Sequence, residues 1–147
     1  MRDLWSEPEA RDLSGVALLR YMSRIVGMDS SLVLWGGGNT SLKTDERDFR
    51  GRPVAVLRVK GSGSDLKSVS ESDFTGVRMD DVLPLEAVDD MTDEEMVEYL
   101  ANTIMEQGSP RPSIETLLHA FLPARCVLHS HADAVAGRPG HLLPGPG

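Results

Sequence analysis

The sequence predicts a layered α/β fold, in which helices pack against a sheet. Residues 8–27 carry apolar side chains at helical spacing, residues 53–60 alternate as a strand does, and short strands and helices then follow one another. With 147 residues, 40% of them hydrophobic and 26% charged, the chain has an ordinary globular composition and the length for one core. We therefore expect one domain over residues 1–136 and an irregular tail rich in glycine and proline over residues 137–147.

The first half of the chain predicts one helix followed by strands that are joined at polar or glycine-rich turns. Apolar residues from Leu13 to Val26 recur at mostly helical spacing, and Gly27 can end the helix. Residues 36–39 form a glycine-rich turn, and the polar segment 45–51 is typical of a hairpin loop. The expected strand segments are residues 31–35, 40–43 and 53–60.

The second half predicts helices that begin at clear capping residues, with two more strands between them. Ser64 or Asp65 is placed to cap a short helix, and Thr92 to cap a longer one whose first turn holds three acidic residues, where the helix dipole favours them. Ser113 is expected to cap a further helix, which Pro123 closes. The expected extents are helices 92–107 and 113–121 and strands 74–80 and 125–130.

Charge and cysteine content exclude several classes of protein. The formal net charge of −8 argues against binding to nucleic acid or to an anionic membrane, because both need clustered lysine and arginine. Cys126 is the only cysteine, so the chain has no disulfide framework and no paired-cysteine zinc module. No apolar run approaches the roughly 18 residues that a membrane span needs. We expect a cytoplasmic protein.

The sharpest candidate for chemistry is the motif His129-Ser130-His131 at the end of an apolar strand. Side chains two apart on a strand share one face, so the two imidazoles can converge on one cation. The same spacing also fits a pair of surface or core histidines, and the motif alone leaves both interpretations open. Cys126 falls on the opposite face and is interpreted as a small buried hydrophobe.

Glu115 and His119 stand four residues apart on the helix that precedes this strand, and so they share one helix face. A carboxylate in that position could reach a metal ion bound by the two histidines. Glu115 is also compatible with an exposed acid that the helix dipole favours. His119 lies within the apolar segment LLHAF and is interpreted as a core histidine.

Three clusters of glycine, serine and threonine offer hydrogen-bond donors for an anion: residues 37–41, residues 61–64 and Ser113. A phosphate dianion needs several N–H and O–H groups directed at one point, and glycine-rich turns and helix N-termini provide them without positive side chains. Such a site suits an acidic chain. Neither glycine-rich cluster fits the dinucleotide or Walker pattern, which disfavours nucleotide binding.

Taken together, these motifs resemble the class II aldolase/adducin family. The segments GGGNTSLK, VKGSGSDL, PSIETLLH and HSH occur in the family's order and spacing, and the resemblance covers about residues 10–136. Within the family, the wording is most similar to the aldolase part of bifunctional proteins that join a rhamnulose-1-phosphate aldolase to a short-chain alcohol dehydrogenase. The resemblance implies an α/β/α arrangement with a central mixed or antiparallel sheet.

The resemblance also implies a function, that of a zinc-dependent aldehyde-lyase acting on a phosphorylated ketose such as rhamnulose 1-phosphate. His129 and His131 would bind Zn²⁺ or another divalent cation, and Glu115 would be the catalytic acid/base. The metal would stabilise the enediolate left by aldol cleavage while the carboxylate moves the proton. The implied contacts to the phosphate of the substrate are Gly38, Asn39, Ser41, Ser62, Gly63 and Ser113.

The sequence departs from the family's pattern after His131. Family members carry a further metal-binding histidine downstream, whereas the later His141 lies in a Gly/Pro-rich stretch unlike the family, and we do not expect it to be a ligand. We expect a truncated domain with an unpaired sheet edge. A sugar-phosphate epimerase or dehydratase, a non-catalytic adducin-like interaction module and an inactive remnant remain open. The family resemblance implies a homo-oligomer, commonly a tetramer.

Overall fold

A computed structural model describes residues 3–34 and 36–131 of the chain. Its strands form one four-stranded sheet in the order β3-β2-β1-β4, and every neighbouring pair is antiparallel. The strands are β1 (Asn39–Arg47), β2 (Pro53–Lys60), β3 (Phe74–Arg78) and β4 (Cys126–His129). The predicted α/β layered fold is confirmed. Of the two expected kinds of sheet, mixed and antiparallel, the structure has the antiparallel one.

Helices cover both faces of this sheet. They are α1 (Glu7–Ala10), α2 (Gly15–Met28), α3 (Met79–Val82), α4 (Asp93–Ala101) and α5 (Glu115–Phe121). Successive strand residues point to opposite faces, so side chains of the sheet contribute to two apolar clusters, one on each face. Leu57, Val59 and Val77 pack with residues of α3, α4 and α5 on one face, and Leu42 and Phe74 pack with α2 on the other.

The hairpin of β1 and β2 is the framework of the sheet. The predicted strand 53–60 is confirmed, and its Val56, Leu57 and Val59 are almost fully buried. The predicted loop 45–51 is wrong at its start, because β1 continues to Arg47. A salt bridge of 2.8 Å from Arg58 to Glu46 gives this polar part of β1 a partner across the hairpin.

The predicted strand at residues 31–35 is wrong over the part that the structure describes. Residues 30–32 form a turn, because the Asp29 carboxylate accepts a hydrogen bond from the Ser31 backbone N–H at 3.0 Å, while the Asp29 carbonyl accepts from Leu32 at 3.0 Å. Val33 is the buried apolar residue of the segment, 5% exposed. Local hydrogen bonding by an aspartate therefore overrides a short apolar run.

Thr92 caps α4 as predicted, in a capping box where its hydroxyl accepts from the Glu95 N–H at 3.2 Å and its own N–H donates to the Glu95 carboxylate at 2.8 Å. The helix ends at Ala101, earlier than predicted. The chain leaves the helix there because Thr103 and Ile104 reach the edge of β3, where the Thr103 carbonyl accepts from Arg78 at 2.9 Å.

Two other predicted boundaries and one predicted helix are corrected. β3 ends at Arg78, because Met79 begins α3. Residues 66–68 form a turn in place of the short helix expected after Ser64 or Asp65, and the Asp65 carboxylate accepts from the Lys67 N–H at 3.2 Å. The helix expected from Ser113 begins at Glu115, and no side chain caps it.

β4 lies at one edge of the sheet, and within the described residues no strand pairs with its outer side. The tail expected over residues 137–147, which contains His141, lies outside the described residues. In the part of the chain that the structure covers, no helix has the length and apolar character needed to cross a membrane.

Candidate functional site

The sheet brings the predicted site residues to one end of β1 and β4. Antiparallel pairing sets Asn39, the first residue of β1, opposite His129, the last residue of β4. His131 lies just beyond the end of the strand, yet its ring centroid is 5.0 Å from that of His129, with the ring planes at 67°. Glu115 begins α5, and its side chain extends towards both rings.

Glu115, His129 and His131 form a compact group of potential metal ligands. Glu115 Oε2 is 3.9 Å from His129 Nδ1, and Glu115 Oε1 is 3.9 Å from His131 Nε2. One ligand atom from each of the three residues falls within 4.8 Å of the others. Two imidazoles and a carboxylate are the ligand set of many catalytic zinc sites. His129 Nδ1 is also buried without a hydrogen-bond partner in the described residues, so the donor set fits a divalent cation.

Glycines before β1 let the backbone approach both histidines. Gly38 has φ of 76°, and a Cβ there would come within 2.6 Å of Val33 Cγ1 and 3.0 Å of the His129 carbonyl oxygen. A Cβ on Gly37 would stand 3.3 Å from His131 Nδ1. The turn can therefore lie against these potential metal ligands only because side chains are absent from it.

Asn39 connects this turn to the start of α5. Its side chain is 2% exposed, and its amide nitrogen donates to Glu115 Oε2 at 3.3 Å and to Ser113 Oγ at 3.4 Å. The amide oxygen accepts from the Thr40 N–H at 2.8 Å. The Ser113 hydroxyl thus accepts from a side chain on β1 in place of the predicted helix cap.

A cleft of about 310 Å³ opens beside Glu115 and His131. Five of the six predicted phosphate contacts line it: Gly38, Asn39, Ser62, Gly63 and Ser113. A larger cavity of about 430 Å³ lies beside Lys43 and Arg125 and contains none of the predicted site residues. The smaller cleft is therefore the one in which the candidate metal ligands and the hydrogen-bond donors meet.

Ser41 is the predicted contact that the structure does not bring to the cleft. Its side chain is fully buried beneath α5, and its hydroxyl lies 2.7 Å from His119 Nδ1. The prediction is corrected for a physical reason: Ser41 shares a strand face with Asn39, but it lies two residues deeper, where the helix covers it.

His119 occupies the core, as its apolar surroundings indicate. It is fully buried, and burial lowers the pKa of His119 to about 4; the neighbouring His129 lowers this pKa further and Glu115 opposes the shift. The imidazole is therefore neutral at pH 7. Cys126 is half-buried against the cluster around Leu42, and burial raises the pKa of its thiol.

Lys60 is a cleft residue that the sequence interpretation missed. It ends β2, is 5% exposed, and donates through Nζ to the Ser64 carbonyl at 2.8 Å and the Gly61 carbonyl at 3.4 Å. Burial lowers the pKa of Lys60, and the carboxylates around it, Glu115 above all, oppose that shift. The signal in the sequence is the place of Lys60 directly before the Gly-Ser-Gly-Ser turn, a predicted source of hydrogen-bond donors.

Residues 17–137 match the family described as the class II aldolase and adducin N-terminal domain. The match covers more than half of the chain, so the chain belongs to this family. The predicted resemblance is confirmed. The fold, the order of the motifs and the grouping of Glu115 with the two histidines are consistent with that membership.

Two relatives extend the comparison. The chain is 50% identical over 136 residues to "uncharacterized oxidoreductase YuxG" of Bacillus subtilis (strain 168), an alignment that covers 92% of this chain and 20% of that protein. It is also 50% identical to the solved N-terminal class II aldolase domain of a conserved protein from Thermoplasma acidophilum, with a TM-score of 0.87. That alignment covers 93% of this chain and 63% of the solved one. The chain thus spans only part of the length of both relatives.

Proposed function

We propose that this chain carries the metal-dependent site of an aldehyde-lyase that cleaves a phosphorylated ketose, with rhamnulose 1-phosphate as the first candidate substrate. The observation that carries the proposal is the convergence of Glu115, His129 and His131 within 4.8 Å, beside a cleft that holds several hydrogen-bond donors. Membership of the class II aldolase family supports aldolase-type lyase chemistry at the level of the family.

The residues at the mouth of the cleft have different roles in cleavage: two would bind the metal and one transfers the proton. A divalent cation, Zn²⁺ as the first candidate, would be held by His129 and His131 and would act as a Lewis acid on the negative charge that develops as the carbon–carbon bond breaks. Glu115 is the only carboxylate among the described residues that line the cleft, so it moves the proton. Asn39 holds this carboxylate from the side through the 3.3 Å hydrogen bond.

The other wall of the cleft suits the phosphate of the substrate. Ser62, Gly63 and Ser113 present small polar side chains or bare backbone, and Lys60 adds one ammonium group. A single buried cation with neutral donors can hold a dianion in a chain whose overall charge is negative. In this proposal the phosphate lies between Lys60 and Ser113, and the bond to be cleaved lies next to Glu115.

Assembly into a homotetramer and a cytoplasmic location belong to the same proposal. Leu118 on α5 and the capping residues Ile114 and Leu122 recur every four residues and are 50%, 48% and 38% exposed. An apolar stripe of this kind is typical of a surface that another chain or segment covers, which supports an assembly. The single, half-buried cysteine supports a reducing compartment.

A cleavage assay tests the proposed activity. The purified chain, loaded with Zn²⁺, is incubated with rhamnulose 1-phosphate, and the release of dihydroxyacetone phosphate is measured by a coupled reaction. We expect release in the wild type and a loss of about 100-fold or more in Glu115→Gln. Glu94→Gln, which changes an exposed acid outside the cleft, serves as the matched control and keeps full activity.

The same assay separates the alternatives. A sugar-phosphate epimer or a dehydrated product without carbon–carbon cleavage would assign the site to an epimerase or a dehydratase. A folded chain that binds Zn²⁺ and converts none of these substrates would contradict the proposed activity. A folded chain that neither binds metal nor turns over any sugar phosphate would support the adducin-like interaction module.

A further inference from the structure

Three polar contacts join α5 and its C-terminal capping residue, Leu122, to β1 and recur along the two elements. The contacts are Asn39 with Glu115, Ser41 with His119, and the Lys43 ammonium with the Leu122 carbonyl. Two strand residues advance by roughly 6.6 Å and four helix residues by roughly 6 Å, so the first two contacts match in spacing. The helix therefore runs parallel to β1, and its polar partners recur in step with the strand.

The middle contact differs from the outer two, because water is excluded from it. Ser41 and His119 are both fully buried, and their side-chain atoms lie 2.7 Å apart. His119 Nε2, on the opposite side of the ring, is buried without a hydrogen-bond partner in the described residues. The His119 ring also lies against His129, with a centroid distance of 5.8 Å and a tilt of 40°.

We propose that Ser41 and His119 are positioning residues that fix the register of α5 along β1 and thereby set the separation of Glu115 from His129. This inference rests on the metal-ligand group of the proposed function. Glu115 lies one helical turn before His119, while His129 is paired to β1 by strand hydrogen bonds. A shift of α5 along the strand therefore moves the carboxylate and leaves the imidazole in place.

A buried hydrogen bond specifies register in a way that the apolar contacts of α5 do not. Ala120, Leu117 and Phe121 pack against the core cluster, and such non-directional contacts tolerate a small slide of the helix. The Ser41 hydroxyl and the His119 nitrogen lose their bond if the helix slides, and in the dry interior neither finds water as a substitute. Replacing residues that orient metal ligands without binding the metal themselves commonly lowers metal affinity by about 10- to 100-fold.

The test measures Co²⁺ binding to the full chain, using Co²⁺ as a visible probe of the site. Ser41→Ala and His119→Phe each remove the middle contact, whereas His119→Asn keeps a hydrogen-bonding atom next to Cγ. We expect Ser41→Ala and His119→Phe to weaken Co²⁺ binding by about tenfold or more and to change its visible spectrum. The double variant Ser41→Ala/His119→Phe should bind Co²⁺ no more weakly than either single variant, because both changes remove the same contact. His119→Asn should bind Co²⁺ more tightly than His119→Phe.

A matched control separates register from general destabilisation. Leu117→Ala removes an apolar contact of the same helix, so it lowers the melting temperature and leaves the Co²⁺ affinity and spectrum unchanged. If Ser41→Ala is folded by circular dichroism and binds Co²⁺ with the affinity and spectrum of the wild type, the inference is overturned.

Hydrogen exchange of the α5 backbone amides, measured in the metal-free chain, tests the positioning role without relying on metal binding. Failure of the wild type to bind Co²⁺ would contradict the metal site, and the exchange measurement then decides the positioning role alone. Faster exchange of α5 amides in Ser41→Ala than in the wild type supports that role. Equal exchange in the two chains overturns it.

Discussion

Asn39 and Glu115 are joined by a hydrogen bond of 3.3 Å between side chains that are 76 residues apart in sequence. The bond connects the first residue of β1 to the first residue of α5, at the point where both elements meet the group of potential metal ligands. It holds the carboxylate that lies 3.9 Å from each of His129 and His131. The amide of Asn39 is therefore part of the structure that aims Glu115.

Replacing Asn39 tests this arrangement. In Asn39→Asp the donor to Glu115 is lost and a second carboxylate faces the first, so we expect cleavage activity to fall by about tenfold or more and the free energy of unfolding by about 1–3 kcal/mol. Urea denaturation and the coupled cleavage assay measure the two effects. Asn102→Ala, which removes an exposed amide bonded to the Glu98 carbonyl, is the control and changes stability by less than about 1 kcal/mol. Equal effects of the two substitutions would contradict the role of Asn39.

Gly38 and Gly51 offer a matched pair for the glycine turn. Both have φ of 76°, but an added Cβ at Gly38 meets three neighbouring atoms at 2.6–3.0 Å, and at Gly51 it meets nothing within 4 Å. Gly51→Ala therefore reports backbone strain alone, about 1–2 kcal/mol of lost stability. Gly38→Ala adds the clash with the His129 carbonyl, so we expect a larger loss in urea denaturation together with weaker Zn²⁺ binding. A Gly38→Ala chain as stable as Gly51→Ala would show that the turn can move.

The stability of the metal-free chain is expected to depend on His119 below neutral pH. Burial holds the pKa of His119 near 4, whereas in the unfolded chain it is 6.5, so the unfolded state binds the proton first. This contribution is complete above pH 6.5 and is lost as the pH falls from 6.5 to about 4, by up to about 3 kcal/mol. Urea denaturation at several pH values measures it. The difference in stability between the wild type and His119→Phe should shrink over that window, and a constant difference would contradict the buried neutral imidazole.

Lys60 is expected to act on substrate binding more than on the chemical step. Lys60→Met removes the ammonium group from the cleft, so KM for the sugar phosphate should rise about tenfold or more while kcat changes less. Lys67→Met removes an exposed lysine that does not line the cleft, and it should leave both constants unchanged. If Lys60→Met lowers kcat and leaves KM unchanged, the assignment of Lys60 to phosphate binding is contradicted, and a role in proton transfer is supported instead.

Much of the candidate site could be predicted from the sequence, because its members lie in short local patterns. Two histidines separated by one residue converge at the end of β4, and Glu115 in the first turn of α5 meets them. Ser41 and Lys60 could not be assigned in this way. Strand parity places Ser41 on the face of the site, but only the packing of α5 decides that it is covered, and only the tertiary structure turns Lys60 into the cleft.

The fold shows the same division between local and long-range information. The alternation of residues 53–60 predicts β2 correctly, and Thr92 is correctly predicted as the cap of α4, because each feature depends on neighbouring residues. The apolar run at residues 31–35 predicts a strand, but Asp29 closes a turn at residues 30–32. The early end of α4 depends on a bridge from Ile104 to Val77, which no local pattern contains.

A zinc titration tests the central claim most directly. Isothermal titration of the purified chain with Zn²⁺ should show one site per chain, with binding weakened by about 100-fold or more in His129→Ala and His131→Ala. Glu94→Gln, on the exposed surface of α4, should bind as the wild type does. A folded wild-type chain that takes up no Zn²⁺, or a His129→Ala chain that binds it unchanged, would contradict the assignment of Glu115, His129 and His131 as a metal site.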